Sequence, residues 1–361
     1  MYLYYILILL ILPPGLLINQ RSDKGYKDLY CIYAFFLLVI ISGLRGYSVG
    51  GDLHHYIPLF EKIAKQPLTE IFEDYDKYGI IFKLYIKLWS FIASGPTYFL
   101  FVTSLINVGV VCWFIRKRSP IIWLSFFLYI ALGYYTNSFN SVRSTMALVM
   151  GIIGVNALMQ DKKLKALIFF IIAFEIHKTI VPIFLLFAIG SFKPRLPVLV
   201  TSIIGCFILA NVIGISGLAN IILWYSTGYG EALNFEGRGY NLLALDCIIT
   251  IGCYYLCRNN LNKQRVMLLN ILWLATCLQC IAPLFSYATR ISYFFTFYSI
   301  LLIPDAIMAE FKVKSRPIIL CSLVVLSMIY FKMTIMTATI EFTKSNAQST
   351  LPYYFYWEQP K

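Results

Sequence analysis

The sequence predicts an all-α polytopic membrane protein with about 11–12 transmembrane segments. Charged residues make up only 13% of the 361 positions, whereas a soluble domain carries about 25%. Apolar runs of about 17 or more residues recur along the chain, and each is long enough to cross about 30 Å of hydrocarbon as a helix. The net charge of +13 lies mostly in short loops between these runs, which is typical of loops at a cytoplasmic membrane surface rather than of a nucleic-acid-binding domain.

Apolar periodicity places the helices in order, with boundaries good to a few residues. The predicted spans are residues 2–19, 28–45, 97–115, 120–136, 141–159, 197–214, 241–257, 266–283, 292–310 and 317–336, with a further apolar segment at 166–190. The first span has basic residues after it but none before it, so we expect it to be retained with its amino end outside the cytoplasm. The whole chain, residues 1–361, is predicted to form one integral membrane domain.

Basic loops set the predicted orientation of these spans. The basic clusters are residues 21–27, 116–118, 162–165, 193–195, 258–265 and 312–316. The positive-inside rule places all of them in the cytoplasm. The loops at 46–96 and 215–240 and the carboxyl tail at 337–361 then lie outside it.

The segment 166–190, "ALIFFIIAFEIHKTIVPIFLLFAIG", must enter and leave the membrane on the same side to keep this orientation. The polar residues 175–178 and Pro182 stand at its middle, and two arms of about 12 residues would each reach only about 18 Å. We therefore predict a broken or re-entrant helix pair whose polar tip lines a water-filled cavity, because non-helical backbone is tolerated at membrane depth only there. The alternative is one long span that places residues 193–195 outside.

Residues 78–94 predict an amphipathic helix that lies on the outer leaflet. The polar stripe of this helix consists of Lys83, Lys87, Ser90 and Ser94. A full membrane span is the alternative, but it would invert the charge pattern of the next loop. The tail sequence "PYYFYW", residues 352–357, predicts an interfacial aromatic anchor.

Arginines near the ends of the predicted spans are candidates for function, since charged groups are expensive in a membrane. Arg143, in "NSFNSVRSTMALVMG", and Arg290, before "ISYFFTFYSILLIP", stand at the outer ends of spans. Arg45 ends a span, and Arg238 lies in a glycine-flanked loop. The fork of an arginine suits a pyrophosphate or carboxylate. Snorkelling to lipid headgroups is the alternative interpretation for the three arginines at span ends, and a solvated arginine is the alternative for Arg238.

His177 is the candidate general base, because an unperturbed pKa of about 6.5 suits proton transfer near neutrality. Asp52, in "RGYSVGGDLHHYIPLF", is interpreted as a second base, a partner that orients one, or the amino cap of the next helix. A metal site that combines these residues with His54 and His55 is disfavoured, since adjacent histidines on a helix are poorly placed to chelate one ion. We predict no metal and no cofactor.

Several stretches of the sequence resemble the motifs of the EpsG family of membrane proteins. They are "RGYSVGGDLHHYIPLF", "FNSVRSTMALVMGI", "FEIHKTIVPIFLL" and "RISYFFTFYSILLIP", and their order and spacing match from Arg45 to Pro304. One departure is Ser144, which follows Arg143 where many relatives carry a glutamine shortly after the arginine. If that glutamine binds substrate in the family, the contact is missing or replaced in this chain.

The resemblance implies a Wzy-type polymerase of O-antigen or another bacterial surface polysaccharide, in the inner membrane with its active site facing the periplasm. A sugar hydroxyl of one repeat unit would attack the anomeric carbon of the growing chain, and undecaprenyl pyrophosphate would leave. The implied partners are undecaprenyl-pyrophosphate-linked oligosaccharides and membrane lipid, with a chain-length regulator as a further candidate and no nucleic acid. A lipid-linked oligosaccharide flippase, an O-antigen ligase and an acyltransferase are the alternatives.

For that reaction, arginines would neutralise the charge of the departing pyrophosphate. Arg143 and Arg290 are the first candidates, and Arg45 and Arg238 follow them.

The attacking hydroxyl needs a base, for which His177 is the first candidate and Asp52 the second. Asn140, Tyr56 and Lys178 complete the predicted substrate contacts, with Tyr56 stacking on a sugar ring.

Overall fold

The computed structural model describes residues 2–19, 24–73, 78–93, 95–212, 239–282, 287–311, 314–345 and 350–358. The regular secondary structure in these ranges is helical, which confirms the predicted all-α fold. Their extended pairing is limited to an isolated antiparallel bridge between Arg45 and Phe355. The chain forms two compact units, residues 1–178 with 312–361 and residues 179–311.

The first unit is built around a central helix, α9. Its helices, numbered in chain order, are α1 (Tyr2–Asn19), α2 (Lys24–Gly43), α3 (Leu53–Lys65), α4 (Leu68–Glu73), α5 (Ile80–Ser90), α6 (Pro96–Arg118), α7 (Ile122–Ala131), α8 (Tyr134–Asn140), α9 (Val142–Leu158), α10 (Lys163–Ile176) and α17 (Arg316–Ser345). Helix α9 packs against α6, α8 and α10, and most of its side chains are buried. Helix α2 packs along α6, and α1 packs along α7.

The second unit is built around α14. Its helices are α11 (Leu186–Ile189), α12 (Leu196–Val212), α13 (Tyr240–Cys257), α14 (Lys263–Gln279), α15 (Tyr287–Thr296) and α16 (Ser299–Glu310). Helix α14 packs against α12, α13, α15 and α16. A buried ion pair also joins α14 to α16, with Arg265 Nη2 2.8 Å from Asp305 Oδ1.

Four helices of the described ranges are long and apolar enough to cross a membrane: α2, α6, α13 and the Arg316–Ile335 part of α17. Helices α15 and α16 make a fifth candidate together, although they meet at a bend of 43° where a continuous span at 292–310 was expected. Shorter apolar helices coincide with other predicted spans: Tyr2–Ile18, Ile122–Ala131, Val142–Leu158, Lys178–Ile189 and Leu196–Ala210. This set of apolar helices is that of a membrane protein.

The predicted span at 120–136 is divided into two helices, α7 and α8. Gly133 separates them in a left-handed conformation, with a φ of +81°, which glycine adopts at little cost. Apolar residues continue on both sides of the break, so periodicity did not predict it. The break gives α8 its own direction, and α8 ends at Asn140, just before α9 and Arg143.

The predicted break in the segment 166–190 is present. Helix α10 ends at Ile176, His177 is extended with φ −149° and ψ 104°, and a 3-10 helix follows at Lys178–Leu185. Pro182 lies inside this 3-10 helix. The first unit ends at Lys178, so the second arm belongs to the other unit and its reversal toward the first arm stays a prediction.

Helix α5 confirms the helix expected at 78–94, but its polar stripe is placed differently. Lys83 and Lys87 are buried, whereas Leu88, the next residue after Lys87, is 55% exposed. The lysines are buried because α5 packs against α3, α6 and α10, and Lys87 reaches the end of α3. The stripe therefore faces protein, and apolar side chains cover the outward side. Ser94 lies outside the described residues.

Candidate functional site

The candidate site lies in the first unit, where residues 50–56, 78–79, 139–143 and 175–177 meet. These segments are the start of α3, the approach to α5, the junction of α8 with α9, and the end of α10. Each contact among them can be traced through a named atom or ring. Together they bring Asp52, Asn140, Arg143 and His177, which lie far apart in the sequence, into one region of the unit.

The glycine pair Gly50-Gly51 joins the start of α3 to the end of α8. Gly50 has a φ of +131°, and a Cβ at this position would overlap the carbonyl oxygen of Phe139. The amide of Gly51 donates to Oδ1 of Asn140 at 2.9 Å. Glycine is required at residue 50 both by the backbone conformation and by this close approach. The Asn140 side chain therefore holds the loop before Asp52.

Arg143 is the second residue of α9 and is only 5% exposed. Its guanidinium carbon lies 5.1 Å from the centroid of the Tyr78 ring, within the range of a cation–π contact. Snorkelling to headgroups would require an accessible guanidinium. The burial of Arg143 in the first unit does not fit that interpretation.

An aromatic cluster surrounds the Tyr78 ring. The centroid of Tyr56 lies 6.4 Å from Tyr78 and 5.7 Å from Phe82, and Tyr78 lies 6.4 Å from Phe82. Tyr56 is 6% exposed, so in this structure it packs among protein rings rather than presenting a free face to a sugar. The sequence-based site did not include Tyr78.

The approach to α5 also contacts the end of α10. A Cβ on Gly79 would overlap the carbonyl oxygen of Glu175, so glycine permits this contact. His177 follows two residues later as the cap of α10, and its backbone amide donates to the carbonyl of Ala173 at 2.9 Å. The side chain of His177 is half-buried, and Lys178 is exposed.

Asp52 occupies the amino-cap position of α3, but its side chain makes no capping hydrogen bond. The amino-cap interpretation is therefore not realised through the carboxylate. The ring centroids of the exposed His54 and His55 lie 3.8 Å apart. His54 Nδ1 is 2.5 Å from the Gly51 carbonyl oxygen. Within the described ranges, no group of three or more His, Cys, Asp or Glu side chains is arranged to hold a metal ion.

Arg45 is enclosed by protein groups. It is 3% exposed, its Nη1 donates to the Ser42 carbonyl and, at 3.3 Å, to Ser104 Oγ, and its guanidinium carbon lies 5.1 Å from the Phe139 ring centroid. These contacts tie Arg45 to α2, α6 and α8.

The carboxyl tail passes over the loop that follows α2. The Gly46 amide donates to the Tyr354 carbonyl at 2.8 Å, and the Tyr356 amide donates to the Leu44 carbonyl at 2.9 Å. Trp357 is 58% exposed, as an interfacial anchor would be. Helix α17 extends to Ser345, into the region expected to be tail.

Two other predicted arginines are Arg290 and Arg238. Arg290 is exposed on α15 in the second unit. Arg238, like most of the predicted loop at 215–240, lies outside the described residues. Their roles stay predictions.

Comparison with known proteins agrees with the sequence motifs. The model of the EpsG family matches residues 28–355. Amylovoran biosynthesis protein AmsC from Erwinia amylovora is 25% identical over 169 residues, which cover 45% of this chain and 45% of that protein. The chain thus matches less than half the length of this curated relative. No solved structure matches it significantly.

Proposed function

The chain belongs to the EpsG family, and from this premise we propose that it polymerises oligosaccharide repeat units of a bacterial surface polysaccharide. The substrates are undecaprenyl-pyrophosphate-linked oligosaccharides, and the Wzy-type reaction takes place at the periplasmic face of the inner membrane. The observation that carries the proposal is the meeting of Arg143, Tyr78, Gly79 and the His177 end of α10 in one unit. The relative named for amylovoran biosynthesis supports a biosynthetic role.

The proposed reaction makes one glycosidic bond and breaks one glycosyl phosphate bond. A hydroxyl oxygen of the incoming repeat unit bonds to the anomeric carbon of the growing chain. The bond from that carbon to the pyrophosphate oxygen breaks, and undecaprenyl pyrophosphate departs with the bonding electrons. The protein must therefore supply a cation for the leaving group and a base for the hydroxyl proton.

Arg143 is the proposed cation. A guanidinium that is 5% exposed interacts with an anion in a medium of low dielectric, where the attraction is stronger than in water. Its place in the first turn of α9 adds the helix dipole, which also favours an anion. Arg290 is the proposed second cation.

His177 is the proposed base. Its half-buried side chain stands where α10 gives way to extended backbone, so part of the side chain is accessible. Asp52, whose carboxylate does not cap α3, is proposed to orient a base or substrate hydroxyl. Lys178 is exposed next to His177 and is proposed to contact substrate, whereas Asn140 acts by holding Gly51.

The experiment is polymerisation of purified lipid-linked repeat units by the full-length protein in detergent, read as a ladder on a gel. We expect Arg143→Ala to slow extension by about 10²–10³-fold and His177→Ala by about 10²–10⁴-fold. Arg258→Ala is the matched control, because Arg258 also lies over a tyrosine ring, at 5.0 Å from Tyr255, but outside the candidate site. Its ladder should be normal.

Each contrary outcome identifies a different error. Normal ladders from both Arg143→Ala and His177→Ala would remove these residues from the mechanism. Absence of polymer from the wild-type protein, together with lipid translocation in vesicles, would indicate a flippase. Transfer only onto lipid A–core would indicate a ligase.

A further inference from the structure

Tyr78 contacts the proposed cation but belongs to none of the four stretches that resemble the EpsG motifs. It lies in the chain between α4 and α5, half-buried, with its ring under the guanidinium of Arg143 at 5.1 Å. Helix α9, which carries Arg143, is thereby connected to a segment more than sixty positions earlier in the chain. Such a contact fixes the direction of a long, flexible side chain.

We propose that Tyr78 is a positioning residue that holds the guanidinium of Arg143 toward the pyrophosphate of the lipid-linked substrate. The inference rests on the proposed function, because it assigns Tyr78 a part in the same reaction. Tyr78 itself transfers no proton and touches no reacting atom. It acts through Arg143.

The chemistry of the contact suits this role. A guanidinium that stacks on a ring contacts it through its flat face, and its N–H groups then point outward in the plane. Those in-plane N–H groups are the ones that bind two phosphate oxygens at once. The ring can therefore orient Arg143 without competing for the hydrogen bonds that an anion would accept.

Two neighbouring rings pack against the ring of Tyr78. Tyr56 and Phe82 pack around it at centroid distances of 6.4 Å each. The next residue, Gly79, abuts the carbonyl oxygen of Glu175 in α10, two residues before His177. The Tyr78-Gly79 dipeptide is thus placed to set the position of the proposed cation relative to the proposed base.

The first test compares Tyr78→Phe with Tyr78→Leu in the polymerisation assay. Phe keeps the aromatic face and should retain near wild-type kcat/KM, while Leu removes it and should lower kcat/KM about tenfold. Tyr255→Leu is the matched control, since it removes a ring 5.0 Å from Arg258 outside the site, and it should have no effect. Equal activity of Tyr78→Leu and wild type overturns the inference and leaves the proposed function standing.

A second readout does not need polymerisation. Binding of inorganic pyrophosphate to the full-length protein in detergent is measured by titration calorimetry, and Arg143→Ala marks the binding that does not involve Arg143. Arg143-dependent binding in the wild type and Tyr78→Phe, with about tenfold weaker affinity in Tyr78→Leu, supports the positioning role. Equal affinity in Tyr78→Leu, or no Arg143-dependent binding in the wild type, overturns it. Failure of wild-type polymerisation alone would instead count against the proposed function.

Discussion

At the scale of single residues, Gly79 and Gly95 show that backbone conformation and lack of space are two separate reasons why a position requires glycine. Gly79 and Gly95 each precede a helix in extended backbone, with φ −64° and ψ 150° at Gly79 and φ −95° and ψ 135° at Gly95. Both conformations are allowed for any residue. A Cβ at Gly79 would overlap the Glu175 carbonyl oxygen, whereas one at Gly95 would meet nothing within 4 Å. Glycine is therefore required at residue 79 only because a side chain has no space there.

We expect Gly79→Ala to lower the free energy of unfolding by about 1–3 kcal/mol, because α5 must move away from α10 to admit the methyl group. Gly95→Ala should change it by less than about 0.5 kcal/mol. Thermal unfolding of the two variants in the same detergent measures the difference. Equal melting temperatures would contradict the close approach of Gly79 to Glu175.

The Arg265–Asp305 pair gives another residue-scale prediction. Arg265 Nε and Nη2 lie 3.1 and 2.8 Å from one carboxylate oxygen, and both residues are buried. Asp305→Ala would leave a buried guanidinium without its counter-charge, so we expect a loss of about 3–5 kcal/mol. The double variant Arg265→Met/Asp305→Leu removes both charges and should recover much of that loss in the same unfolding assay. No recovery would show that the neighbouring contacts of Arg265 matter more than the pair.

At the scale of elements, the end of α3 depends on a lysine from α5. Lys87 Nζ donates to the carbonyl oxygens of Ile63, Ala64 and Gln66 at 3.3, 3.1 and 2.7 Å. The last carbonyls of a helix have no partner within the helix, and a cation there also complements the helix dipole. One side chain thus fastens α3 to α5.

Lys87→Met keeps the apolar length of the side chain and removes these three bonds. We expect it to lower stability by about 1–3 kcal/mol, since buried acceptors lose their donor. Lys65→Met, at an exposed position in the last turn of α3, is the control and should stay within about 0.5 kcal/mol. If both variants melt together, Lys87 does not fasten the two helices.

The long helices could be predicted from the sequence because each is a continuous apolar run. The spans expected at 28–45, 97–115 and 241–257 correspond to α2, α6 and α13 within a few residues. The break at Gly133 was not predicted, because apolar residues continue across it. The stripe of Lys83 and Lys87 was recognised from helical spacing, but spacing cannot tell whether a polar face meets water or another helix.

The candidate site was predicted in part. Asp52, Arg143 and His177 stood out because charged and titratable groups are rare in this chain, and all three lie in the first unit. Tyr78 did not stand out, because it is one of 27 tyrosines and only the fold shows which ring lies beneath an arginine. The contact of Gly79 with Glu175 has no local signature either.

At the scale of the whole molecule, polar contacts show which helix ends of the first unit lie together. One end holds the pairing of the carboxyl tail with Gly46 and the bond from Gly51 to Asn140. Other contacts join the far ends of the helices: Arg116 to Asp28 at 2.5 Å, and Arg118 to Asn156 at 2.7 Å. The orientation predicted from loop charge alone requires that these same helix ends lie together.

In the second unit, too, the predicted orientation groups helix ends that contact each other. The Arg265–Asp305 pair joins the beginning of α14 to the second half of α16. The predicted orientation also brings the start of one of these spans and the end of the other to the cytoplasmic side. Arg265 was counted there as part of a basic cluster, but its charge is balanced by Asp305. The cluster's remaining charge then rests on residues such as the exposed Arg258.

The orientation itself makes a prediction that side-specific labelling tests. In a background where the exposed Cys321 is replaced by Ser, a membrane-impermeant maleimide should label His54→Cys in intact spheroplasts. It should label Lys162→Cys, Arg195→Cys and Arg258→Cys only after lysis, because all four positions are exposed and the basic loops are expected in the cytoplasm. Labelling of Arg195→Cys from outside would make the segment 166–190 a single span, and His177 would then lie within a crossing helix. Labelling of His54→Cys only after lysis would move the candidate site to the cytoplasmic face, where a periplasmic polymerase cannot work.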